Sequence, residues 1–144
     1  MPKLISREQS AYVRGREIVD NTILAQELIH DTASSNRGSN IAIKLDMAKA
    51  YDRLDWQYLL WVLRRFGFDN KFIDIIWRNI SNVWFSILIN GVKSGFFISF
   101  RGIRQGDPLS PLIFVLAADS LSCNLNLLPY NRSFTPYTSR VEGR

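Results

Sequence analysis

Apolar residues recur at helical spacing through "SREQSAYVRGREIVDNTILAQELIHDTA" (6–33), where Ile18, Val19, Ile23, Leu24, Leu28 and Ile29 predict a helix. Asp20 or Asn21 is placed to cap its 22–32 part. "SSNRGSN" (34–40) reads as a loop. Ile41, Ala42, Ile43 and Leu45 then predict a buried strand over 41–46 that ends on Asp46. A second helix is expected over 55–68, with Leu59, Val62, Leu63 and Phe66 on one face and a stop near Gly67. A third starts afresh at Asp69 and runs to 82, with Phe72, Ile73, Ile76, Trp77 and Ile80 inward. Trp61, Phe66 and Trp77 read as core. Two β-rich runs in 83–100 flank Asn90-Gly91 and Gly95, a hairpin signal. Ser110 and Pro111 suit the cap and first turn of a last helix. Residues 129–144 hold two prolines and little periodicity, and read as a disordered tail behind one domain of residues 1–128.

Composition narrows the class. With 144 residues, 47% of them apolar, the chain has enough material for a core. No run of about 18 apolar residues marks an ordinary membrane helix. The N-terminus lacks the apolar centre of a secretory signal. Cys123 stands alone, which excludes an internal disulfide and a cysteine zinc site and suggests a reducing, intracellular setting, nucleus or cytoplasm. The single histidine, His30, reads as a surface or packing residue. Charge is uneven: residues 41–106 carry ten basic and five acidic side chains, the whole +5 excess. Such a segment is either a solvated surface or a face for phosphates.

Two constellations carry chemistry. Asp46, at the tip of an expected strand, either pairs with Lys44 or Lys49 and caps a turn, or ligates a metal beside a backbone carbonyl. Hard cations such as magnesium want oxygen donors and share them with substrate phosphates. One carboxylate is too few for that alone. The second constellation, "RGIRQGDPLSP" (101–111), gathers Arg101, Gly102, Arg104, Gln105 and Gly106. Its glycines permit close backbone approach to a ligand, Gln105 suits a base or sugar edge, and the arginines suit phosphate. A plain connecting loop is the competing reading.

From about residue 4 to about 127 the chain resembles the reverse transcriptases of non-LTR (LINE-type) retrotransposons, especially those of plants. "LISREQSAYVRGREIVDNTILAQELIH" is similar to the segment leading from fingers into palm, "AIKLDMAKAYDRLDW" to polymerase motif A, and "ILINGVKSGFFISFRGIRQGDPLSPLIFVLAADSLS" to the hairpin and motif B. The resemblance implies a partial fingers–palm of α+β class, with helices packed on a small antiparallel sheet. It implies Asp46 as a metal-binding catalytic aspartate, helped by the carbonyl of Met47, with magnesium as cofactor. Tyr51 matches the aromatic beneath the sugar of the incoming nucleotide, which selects deoxynucleotides. Gln105 and Gly106 match the motif around nucleotide and template, and Arg16 a segment with a template role. Asp52 belongs to the pattern and is read as structural. RNA template, DNA primer and deoxynucleoside triphosphates are the implied partners, and no membrane.

The chain also departs from the family pattern. The family's paired aspartates, which complete the metal ligands, have no counterpart, because no "DD" occurs here. Asp119 is no substitute, since it follows an apolar helical run. The expectation is a palm fragment inactive alone. A non-catalytic nucleic-acid-binding remnant and a structural fossil are the alternatives.

Overall fold

The computed structural model describes residues 4–34, 41–135 and 137. It forms two compact units, the first from residues 1–46 and 119–144, the second from residues 47–118. The expected single domain and tail are therefore not a simple description of the chain.

The second unit holds most of the apolar core. A short turn of helix, α2 (Ala50–Arg53), precedes α3 (Trp56–Arg65) and α4 (Asn70–Ser81). Asp55 caps α3 by accepting the Tyr58 N–H at 2.8 Å. The helix ends in a Schellman pair, Phe68 N–H to Leu63 carbonyl and Gly67 N–H to Arg64 carbonyl. Asp69 caps α4 through the Lys71 N–H. Leu59, Val62 and Leu63 are buried on α3, and Ile73 and Ile76 on α4. Trp56 meets Trp77 edge-on at 5.7 Å.

The hairpin forms as read. β1 (Trp84–Ile89) pairs antiparallel with β2 (Val92–Ile98). Asn90 and Gly91 both take positive φ, 50° and 80°, the turn that matches strand twist. The register slips by one residue between Phe85 and Ile87, where Gly95 on the facing strand is at φ 65°, a bulge. Both strands are largely exposed.

Two expectations fail. Residues 41–46 form no strand, and every one of them is exposed. A strand needs a neighbour to take its backbone hydrogen bonds. Among the described residues the only sheet is the two-stranded hairpin. Trp61 is not core: it is 49% exposed, and Phe72 is 40% exposed. Phe66 and Trp77 are half-buried.

In the first unit, α1 (Ile18–Ser34) starts well after residue 6, and residues 4–17 run as turns. Asp20 and Asn21 lie inside its first turns rather than capping it. The Asn21 amide instead donates to the Glu8 carbonyl at 2.7 Å and to Ser10 Oγ. The apolar residues of α1 named above are all exposed.

The last helix, α5 (Ser110–Leu125), contributes residues to both units. Ser110 is its first residue and is buried, while Asp107 Oδ1 receives the Leu109 N–H at 2.8 Å ahead of it. By length and composition, 110–130 also has the character of a membrane span. Ile113, Val115, Leu116 and Ala117 are buried within the protein, the pattern of a core helix. A 3-10 turn, Leu128–Tyr130, follows, so the expected tail begins with ordered turns. Its residues 136 and 138–144 lie outside the described residues.

Asp119 on α5 is fully buried in the first unit. Its carboxylate accepts the Ser6 N–H at 3.1 and 3.2 Å and the Ser6 hydroxyl. Removing it would leave both donors without their acceptor, at roughly 1–3 kcal/mol for a buried group. Asp119→Ala is therefore expected to lower unfolding free energy by about 2–3 kcal/mol in urea titrations. A loss below about 0.5 kcal/mol would mean that water replaces the carboxylate without penalty.

Candidate nucleotide and nucleic-acid site

The loop after β2 is stitched to the turn around α2 by backbone groups. Gly102 N–H donates to the Leu54 carbonyl at 2.7 Å, and Ile103 N–H to the Tyr51 carbonyl at 2.9 Å. Trp56 Nε1–H donates to the Gly102 carbonyl at 2.6 Å. Gly102 has φ +86°, and a Cβ there would lie 2.8 Å from the Asp52 carbonyl oxygen and 3.0 Å from Asp52 Cα. Only glycine fits a positive φ with a backbone that close. The segment "AYDRLDW" and the loop "RGIRQG" thus make one rigid piece.

That piece borders a cavity of about 520 Å³. Arg101, Arg104 and Gln105 line it together with Asp52, Asn79 and Asp107, over an apolar wall that includes Ile80, Val83, Phe85 and Phe97. Arg101, Arg104 and Gln105 are exposed, so their polar ends reach solvent. Two guanidinium groups, two carboxylates and two amides around an apolar wall suit a ligand with phosphate and an aromatic face.

Tyr51 is half-buried, and its ring stacks on Phe114 at 5.0 Å and 15°. It joins the loop through its carbonyl bond to Ile103. Gly106 has φ +89° in the turn that carries Gln105. The structure therefore gathers Arg101, Arg104 and Gln105 at one cavity. Asp52, read as structural from its place in the motif, has a second role as part of the cavity wall.

Asp46 and Arg16 belong to the first unit. Asp46 is exposed, at the end of the irregular stretch 41–47. The Arg16 guanidinium donates to the carbonyls of Ser6, Gln9 and Ile5, at 2.5 Å for Gln9 and 3.3 Å for Ile5. It organises the turns of 4–16. Nearby, backbone hydrogen bonding holds the Glu8 carboxyl below its usual range. Cys123, although exposed overall, has Sγ 3.8 Å from Asp119 Oδ2. Partial burial of the sulfur, then the carboxylate's charge, pushes its thiol up, away from a nucleophilic thiolate.

Sequence reasoning missed the Asp119 to Ser6 connection. A signal existed: a carboxylate inside "FVLAADSL" must find donors once that run is buried.

Residues 1–134 match the family model described as reverse transcriptase (RNA-dependent DNA polymerase). The chain belongs to the reverse transcriptase family. It is 32% identical over 126 residues to a transposon TX1 uncharacterized 149 kDa protein of Xenopus laevis, covering 87% of this chain and 10% of that protein. It is 30% identical to a retrovirus-related Pol polyprotein from the type-1 retrotransposable element R2 of Popillia japonica, over 81% of this chain and 19% of the relative. A Pol polyprotein from the type-2 retrotransposable element R2DM of Drosophila melanogaster is 32% identical over 71% of this chain and 10% of its own length. The chain thus spans between a tenth and a fifth of these relatives, and the affiliation to non-LTR retrotransposon enzymes expected from its motifs holds.

Reverse transcriptases use divalent metal ions. Among the described residues, no three His, Cys, Asp or Glu side chains converge on a metal position. Asp46 and the Met47 carbonyl have the right donor chemistry, oxygen, but supply two ligands where magnesium takes about six. These residues alone do not make a metal centre.

Proposed function

We propose that this reverse transcriptase chain forms part of a palm that binds a templated deoxynucleoside triphosphate for RNA-directed DNA synthesis. The observation that carries the reading is the single cavity lined by Arg101, Arg104 and Gln105 on a loop locked to the Tyr51 turn. Arg101 and Arg104 meet phosphates of nucleotide or strand. Gln105 hydrogen-bonds a base or sugar edge, and Gly106 lets the loop backbone approach. The Tyr51 ring, braced by Phe114, is a stiff floor for the sugar and excludes a 2′-hydroxyl. Asp46 and the Met47 carbonyl contribute oxygens to a magnesium ion whose other ligands lie outside this set. When bound, that ion supplies charge neutralisation on the phosphates and activation of the primer hydroxyl. RNA template and DNA primer are the partners. Arg16 serves the template side by holding the turns of 4–16 in shape.

The test is a graft of residues 4–127 into a complete non-LTR reverse transcriptase in place of its own equivalent segment. Tyr51→Ala in that graft is expected to admit ribonucleotides more readily. The rate with deoxynucleotides should fall less than discrimination does, read from single-nucleotide kcat/KM ratios. Unchanged discrimination would leave Tyr51 a packing aromatic and remove the nucleotide assignment.

The scarcity of metal donors favours a second reading, nucleic-acid binding without catalysis. It differs from the first in giving salt-sensitive RNA binding with no primer extension even in the graft.

A further inference from the structure

We propose that the outward face of α3 is a docking surface for single-stranded RNA, distinct from the cavity at Gln105. The exposed residues of α3 are Gln57, Tyr58, Trp61, Arg64 and Arg65. The helix contains no acidic residue, and its last turn carries both arginines. Trp61 is 49% exposed, an unusual place for the largest apolar side chain.

The face is also held in shape before any ligand arrives. The Tyr58 hydroxyl donates to the Ala117 carbonyl at 3.0 Å, which fixes the ring. Trp61 stacks beside Tyr58 at 6.4 Å and 23°. The Arg65 guanidinium lies 5.4 Å from the Trp61 ring centre. A tyrosine, a tryptophan and a guanidinium therefore form one layered strip with Arg64 alongside. Among the described residues, neither arginine forms an ion pair with a carboxylate.

Charge and shape together select the occupant. Two cations without acidic neighbours on the helix favour a polyanion, and a guanidinium stacked on indole keeps N–H groups at its edge for phosphate. Flat aromatic surface favours unpaired bases, which stack on such rings in any sequence. A duplex would hide its bases from the indole. The family acts on RNA templates, so single-stranded RNA is the strand to which the face is assigned.

The experiment is fluorescence anisotropy of the full chain with a labelled single-stranded RNA 12-mer, titrated across salt. Trp61→Ala is expected to weaken binding roughly tenfold, the size of one lost stack. Trp61→Phe, which keeps a ring, should recover most of it. Arg64→Gln with Arg65→Gln should make the log-affinity against log-salt slope shallower by about 1. An abasic strand of equal length should lose the dependence on Trp61 and keep that on the arginines, which general unfolding could not produce. Arg101→Gln with Arg104→Gln serves as the separate cavity arm. RNA affinity and salt slope unchanged in the α3 variants would overturn the docking surface, even where the cavity variants weaken binding. Equal loss on RNA and abasic strands for Trp61→Ala would overturn the stacking role.

Discussion

Incubated with primed RNA, all four deoxynucleoside triphosphates and magnesium, the purified chain is expected to extend no primer. Hard cations are held by several oxygens at once. This chain offers the Asp46 carboxylate and the Met47 carbonyl, and among the described residues no cluster of three acidic, histidine or cysteine side chains adds to them. With weakly held metal, the transferring phosphoryl group loses both positioning and charge stabilisation. A single lost stabilising contact at a reaction centre costs about 10²–10³ in rate, and several are at stake here. An Asp46→Ala control should look the same as the wild type in this assay. In the grafted enzyme the same substitution should lower extension by at least about 10²-fold. Extension by the isolated chain that disappears in Asp46→Ala would show that the missing ligands come from a second copy, and would overturn the expectation.

Gly102→Ala is expected to cost about 3 kcal/mol of unfolding free energy, through two separate effects. Alanine at φ +86° suffers the left-handed backbone penalty of about 1–2 kcal/mol. Its Cβ would also lie 2.8 Å from the Asp52 carbonyl oxygen and 3.0 Å from the Tyr51 carbonyl oxygen. These are backbone atoms, which cannot swing aside as a side chain would, and overpacking of this kind costs about 1–3 kcal/mol. Relief would require the loop to part from the α2 turn, breaking the Gly102 to Leu54 and Ile103 to Tyr51 hydrogen bonds. The measurement is urea unfolding followed by tryptophan fluorescence. Gly106→Ala is a useful companion, because its φ of +89° carries the backbone penalty while nothing lies within 4 Å of its Cβ. It should cost about half as much. Equal costs at the two positions would mean that the close approach at Gly102 contributes nothing.

What the sequence determined by itself were the features whose causes lie a few residues apart. Asp55 caps α3 by reaching Tyr58, Gly67 closes it, and Asp69 starts α4 through Lys71. Asn90-Gly91 sets the hairpin because both residues tolerate positive φ. The ordered motifs around Asp46, Tyr51 and Gln105 likewise identified the family, which the match over residues 1–134 bears out. Tertiary structure decided everything that needed a distant partner. Residues 41–46 have the composition of a buried strand, but a strand exists only where another takes its hydrogen bonds. Trp61 lies among Leu59, Leu60, Val62 and Leu63, an apolar run too dense for periodicity to say which residue faces out. Asp119 finds Ser6 across 113 residues. Gly102 meets the backbone of Asp52 only because Trp56, Leu54 and Tyr51 draw the loop onto the α2 turn. Local capping and turn chemistry act through neighbours along the chain, whereas burial and strand pairing depend on which distant surface arrives, and that is a property of the folded whole.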